Sequence, residues 1–235
     1  MTWLRRLFRA APPPLASEEA GRLEAWRALP APSLQQPLGE GRWVVVDVET
    51  SGLNLAKDRL IAIGAVAVND GRIDLGDSFE IILQQKAVSG RDNILIHGIG
   101  GTAQSEGVPP EDALLRFLEY LGKSPLVAFH VTFDETMIKR ALKEYLGFEF
   151  KHPWVDLAYI APALHPSLAR RYRALDDWMG YFRISNYARH SALADALATA
   201  QLFLMLAGSA VKKGAGHLAA LQDMEKAQRW VSWSN

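Results

Sequence analysis

The run Trp43-Val44-Val45-Val46, followed at once by Asp47 and Glu49, constrains the fold more than any other feature. A continuous apolar run rich in β-branched residues reads as a strand buried on both faces, residues 42–48, and so belongs in the middle of a sheet. On a strand, residues two apart point to one face, which sets Asp47 and Glu49 side by side. Two like charges so placed repel, and burial raises the cost. Two outcomes are open. Either the strand end frays into a polar loop and both carboxylates reach water, the plainer reading of the pair alone, or a cation lies between them. For all-oxygen donors Mg²⁺ or Mn²⁺ is the natural ion.

The rest of the chain builds around that strand. Residues 59–68 and 72–83 read as two more strands, and Asn69-Asp70-Gly71-Arg72 between them carries the Asp-Gly signal of a tight hairpin. The first three strands therefore form an antiparallel meander. Residues 110–121 read as a helix with Leu114, Leu115 and Leu118 inward, 126–129 as a short buried strand, and 132–146 as a helix. A short edge strand is expected at 152–156, helices at 156–164, 174–182 and 191–207, and an amphipathic helix at 217–230. Strands first, then alternating helix and strand, predict an α/β fold with a mixed sheet and helices on both sides.

Three segments are expected: an N-terminal helical, Pro-rich extension (1–38), a main domain (39–208) and a C-terminal helical tail (209–235). The extension holds one helical pattern, with Leu23, Trp26 and Leu29 on one face and Ser17 as a cap. Packing of that helix on the main domain is favoured over a partner-binding arm. Trp230 and Trp233 in the tail are likewise expected to pack back, with docking into a partner's groove as the alternative.

Composition removes several classes. The absence of cysteine excludes disulfides, thiolate zinc sites and a cysteine nucleophile, and fits a cytoplasmic location. The basic, amphipathic start is followed by Ala-Pro-Pro-Pro rather than an uncharged apolar region, so no secretory signal is read. The apolar stretch 196–207 is too short to span a bilayer, and no membrane partner is expected. Lys+Arg and Asp+Glu are both 26, a net charge of +0. A protein that lives on duplex backbone contacts is usually basic, so nucleic-acid contacts here must be local or depend on metal ions.

Three further residues bear on the paired acids. Asp134 opens the helix at 132–146, where Thr132 to Glu135 spells a T-x-x-E capping box, so a structural role suffices for it alone. Asp195 sits in an Ala- and Leu-rich helix with Ser191 as its cap; there it marks a thin exposed stripe or meets a cation. His190 stands five residues earlier and shares no helical face with Asp195. From a loop it can turn back toward that acid, and a neutral imidazole suits a general base, although a surface loop histidine is the default for any single one.

Taken together, "DVETSGL", "FHVTFD" and "HSALAD" resemble, in order and spacing, the three exonuclease motifs of the DEDDh family, which includes the proofreading epsilon subunit of bacterial DNA polymerase III and relatives such as oligoribonucleases. The resemblance spans about residues 42–206. It implies an RNase H-like fold with a five-stranded mixed sheet, and two-metal hydrolysis of a phosphodiester at a 3′ end that releases nucleoside 5′-monophosphates. Carried over by motif, Asp47, Glu49, Asp134 and Asp195 would hold two Mg²⁺ or Mn²⁺ ions, and His190 would take the proton of the attacking water. Glu49 and the backbone near Thr50 would hold the terminal 3′-OH. Leu53, after the turn at Gly52, would wedge between the last two bases. Phe133 would lie beside the terminal nucleotide, and His97, in "ILIHGIGG", would border the site. His130 stands where relatives often carry Asn, and Phe129 where they carry a small or polar residue, which bears on substrate choice.

The expected substrate is the 3′ end of single-stranded DNA or RNA, with proofreading-type DNA as the leading reading. An RNA-trimming enzyme is the second. The third is a polymerase-associated subunit acting through partner binding. Arg170, Arg171 and Arg173 are candidates to meet a strand's backbone, or form a solvated basic loop.

Overall fold

The computed structural model describes residues 14–186 and 188–233, with side chains to residue 231. The basic N-terminal stretch and the Trp233 side chain lie outside the described set. Five strands form one sheet: β1 (Arg42–Thr50), β2 (Leu60–Asn69), β3 (Arg72–Ile82), β4 (Leu126–Ala128) and β5 (Trp154–Asp156), in the order β3-β2-β1-β4-β5. β1 pairs antiparallel with β2 and parallel with β4, which places the Val-rich strand at the centre, as its apolar run requires. The β2–β3 hairpin closes through Asp70 and Gly71, both at positive φ. β5 is the far edge, paired parallel with β4.

Alternation along β1 divides the core. Val44, Val46 and Val48 face one cluster with α4 (Pro110–Leu121) and α5 (Val131–Leu146). Trp43 and Val45 face the other, with α6 (Leu157–Leu164), α8 (Ala192–Lys212) and α9 (Leu218–Trp233). By the same period Asp47 and Glu49 fall on the α8 face. α1 (Ser17–Ala28) lies against α4: Trp26 donates to the Gly122 carbonyl at 2.6 Å and meets the Phe148 ring edge-on, while Arg22 bonds Glu119 and Asp112.

Several local expectations need correction. α1 starts at Ser17 with Ala16 as its cap, and the bond there runs from the Ala16 N–H to the Glu19 carboxylate; Leu29 is exposed. β4 ends at Ala128, leaving Phe129 outside the strand. α5 begins at Val131 after His130, so the T-x-x-E box is not formed. Ser191 is the cap residue of α8 but makes no side-chain bond. α2 (Arg91–His97) and α3 (Gly101–Ser105) were not expected; at seven and five residues they are too short for a periodic signal. α8 runs to Lys212. At 21 residues and mean hydropathy 1.4 it is long and apolar enough to cross a membrane, against the expectation from 196–207. Here it is a core helix: Ala196, Ala200 and Phe203 are buried against the sheet.

Candidate active site

The carboxylate end of β1 is shaped by three local devices. The β1–β2 register shifts between Glu49 and Thr50, a bulge that re-aims the strand end. The Thr50 hydroxyl donates to the Gly52 carbonyl at 2.8 Å. Gly52 sits at φ +155, and a Cβ there would meet the Asp58 carboxylate at 2.6 Å. Asp58 in turn accepts from the Ser51 hydroxyl and the Asn54 N–H, tying the turn shut. Leu53 projects from it 86% exposed.

Gly64 brings α8 onto this strand end. It pairs with Asp47 in the β1–β2 ladder, and a Cβ on it would lie 2.2 Å from backbone atoms of Ala192 and Leu193. Only glycine permits that approach. The first turn of α8 therefore rests on β2, and Asp195 is carried to the β1 acids. One ligand atom from each of Asp47, Glu49 and Asp195 lies within 4.8 Å of the others. Asp134 stands outside this set, because α5 packs on the opposite face of the sheet. It reaches the strand end nonetheless, close enough for the Val48 backbone and the Glu49 charge to act on its carboxylate.

The acids are costly to ionise together. Burial pushes Asp47 well above the usual carboxylate range, and the charges of Asp134, Asp195 and Glu49 push it further. Burial, then Asp195, raises Glu49 to about 8, against the opposing Arg189. Burial raises Asp134 to about 8, with the Asp156 and Glu49 charges adding and backbone N–H bonds opposing. Such a set calls for positive charge. The protein supplies one: the Arg189 guanidinium bonds Asp195 Oδ1 and, through Nε, reaches Asp176 at 3.0 Å on α7 (Leu175–Phe182). Asp195 also accepts from the Asn186 amide at 2.5 Å and the His190 N–H at 3.1 Å.

These groups open onto a cleft of about 300 Å³ whose walls include Asp47, Glu49, His130, Arg189, His190 and Asp195. His190 is exposed at its rim on a left-handed turn (φ +63), in the loop position from which it can face Asp195. His130 is exposed and also left-handed (φ +67). Phe133 packs against the α4–α5 core. His97 is buried, with Nδ1 accepting from the Ile99 N–H and Nε2 3.4 Å from the Ser89 hydroxyl, and burial lowers its pKa. The structure thus joins Asp47, Glu49, Asp195, His130 and His190 in one cleft. Thr50, Gly52 and Leu53 stand in the adjoining turn, Asp134 behind the strand end, and Phe133 and His97 outside the cleft lining.

Sequence reasoning passed over Gly64, Asp58, Arg189 and Asp156. A lone glycine in an apolar strand was a readable sign of close approach. Asp156 carries no local signal for its role, since His130 and Arg229 are 26 and 73 residues away.

The exonuclease family model matches residues 44–203. The epsilon subunit of DNA polymerase III from Aquifex aeolicus is 28% identical over 195 residues, covering 82% of this chain and 94% of that protein. The PolC-type DNA polymerase III of Thermotoga maritima is 29% identical over 196 residues. That match covers 83% of this chain, which spans 14% of the relative's length. E. coli exonuclease I in complex with a dT13 oligonucleotide overlays with a TM-score of 0.62 at 17% identity, over 74% of this chain and 42% of that one. Exonuclease X in complex with 5′ overhanging duplex DNA gives 0.58 at 18%, over 78% and 99%. At these identities the overlays speak for the fold, which is RNase H-like.

Proposed function

Because the chain belongs to the exonuclease family, we propose that it is a divalent-metal-dependent 3′→5′ exonuclease that removes nucleoside 5′-monophosphates from single-stranded DNA. One observation carries the reading: Asp47, Glu49 and Asp195 converge on one cleft, with Asp134 at its back. The donor set is all carboxylate oxygen and short of positive charge, which fits hard divalent ions. Asp47, Glu49, Asp134 and Asp195 would hold two Mg²⁺ or Mn²⁺ ions. Bound there, these would supply positive charge against the phosphate oxygens and make water acidic enough to attack at neutral pH.

The remaining work falls to the chain's own groups. His190, at the cleft rim, takes the proton of the attacking water. Glu49 and the backbone near Thr50 hold the terminal 3′-OH, so cutting starts from an end. Gly52 keeps the turn tight, and Leu53 wedges between the last two bases. His130 borders the terminal nucleotide from the cleft wall. The polymerase III names of the relatives favour DNA over RNA, a cytoplasmic site of action, and as a second reading a subunit that works beside a polymerase.

Digestion of a labelled single strand with and without EDTA tests the activity. Asp47→Ala should abolish it, and His190→Ala should slow it by about 10²–10⁴-fold, the range for a lost general base. Either variant cutting as fast as the parent would remove these assignments. Equal-length DNA and RNA strands decide the substrate, and a circular strand that is cut would exclude an exonuclease.

A further inference from the structure

The buried carboxylate of Asp156 ends β5 and is 1% exposed. Its Oδ1 accepts from the His130 N–H and the Ala158 N–H, both at 3.0 Å. Its Oδ2 accepts from Arg229 Nη2 at 3.0 Å. Arg229 lies on α9, beyond the residues the family model matches. Glu225, one turn earlier, accepts from the Asp156 N–H at 2.9 Å and from Arg229 Nε at 2.9 Å. A closed ring of charge-assisted bonds thus joins the last helix to β5.

His130 is the reason this ring matters for the cleft. It is a non-glycine residue held left-handed, a conformation that persists only where neighbours hold it. That turn starts α5, and α5 carries Asp134 to the β1 carboxylates. The Asp156 carboxylate is the group bonded to the His130 N–H. Arg229 is the cation bonded to that carboxylate.

We propose that Arg229 is a positioning residue for the active site, acting through Asp156 and the His130 turn on the placement of Asp134. The inference rests on the exonuclease reading for its activity readout, and on metal binding for its independent one. Removing one partner of a buried ion pair leaves the other uncompensated, whereas neutralising both is milder. That asymmetry separates positioning from simple packing of Arg229 over the Tyr159 ring, 4.1 Å away.

The test compares the full chain with Arg229→Met, Arg229→Lys and the double variant Asp156→Asn/Arg229→Met. Loss of a residue that orients a metal ligand typically costs about 10–100-fold in metal affinity or activity. Arg229→Met should therefore lower kcat, and Mn²⁺ affinity measured without substrate, by about that range, with KM for the strand little changed. Arg229→Lys should recover part of both. The double variant should outperform Arg229→Met, because the stranded charge is gone. The proposal is overturned if Arg229→Met keeps parental kcat and Mn²⁺ affinity. It is equally overturned if the double variant is no better than the single, or if only the unfolding temperature moves. A parent protein that cuts no strand would count against the exonuclease reading alone, since the Mn²⁺ titrations still decide the role of Arg229.

Discussion

Arg189 governs the charge of the cleft as directly as any of its acids. Its guanidinium binds Asp195 and Asp176 at once, so a divalent ion arriving at Asp195 must compete with it. The arginine is one-third exposed while Asp195 is 7% exposed, and solvent screening on the arginine's side holds their pair to about 1 kcal/mol. Arg189→Gln should therefore lower the Mn²⁺ concentration needed for half-occupancy by about two- to five-fold. Calorimetric titration reads this directly, and an unchanged or higher requirement would show that the arginine does not compete. The three clustered carboxylates were readable because strand alternation and ordered motifs announce them. Arg189 was not, because it stands between two helices, pairing with Asp176 on α7 and Asp195 on α8, and the packing that brings these together is tertiary. The capping box at Thr132 failed for a like reason: His130 turns the chain first, and its holder, Asp156, is 26 residues away.

At the scale of elements, the site is the meeting of a strand end with two helices from opposite faces of the sheet. β1 was legible down to its facing residues, since period-two burial follows from the sequence alone. The hairpin was legible from Asp70-Gly71. The segment between β3 and α4 was not. α2 and α3 are held by long-range bonds, such as Gln104 Oε1 accepting from the Ser89 N–H at 2.9 Å and Asn93 donating to the Ser51 carbonyl. α8 depends on Gly64, whose missing Cβ sets how near Asp195 comes to Asp47. Gly64→Ala should push that helix off the sheet. Overpacking of this kind costs about 1–3 kcal/mol of stability. Activity should fall further than stability does, because the displaced helix carries Asp195 and follows His190. Urea unfolding alongside strand digestion checks this; a variant with parental activity would mean that the helix accommodates the methyl group without moving the acids.

Over the whole molecule, formal charge balances at +0, yet the acids are not spread evenly. Asp47, Glu49, Asp134 and Asp195 gather at one strand end, and folding without a cation must absorb their repulsion. Glu49 and Asp134 have ordinary values of 4.5 and 3.8 and are raised to about 8 in the folded chain. Between those limits the metal-free folded protein holds more protons than the unfolded one. Stability must then fall as pH rises through the window, from its highest contribution below about pH 4 to a floor above about pH 8. The slope has the opposite sign to that of ordinary paired carboxylates, which stabilise as pH rises. Divalent ions held by the ionised acids of the folded state would reverse it. Thermal unfolding from pH 5 to 8 should show a midpoint that drops in EDTA and holds or climbs in saturating Mn²⁺. Parallel curves in the two conditions would mean that no ion is held by this carboxylate cluster, and the metal-dependent reading of the cleft would go with it.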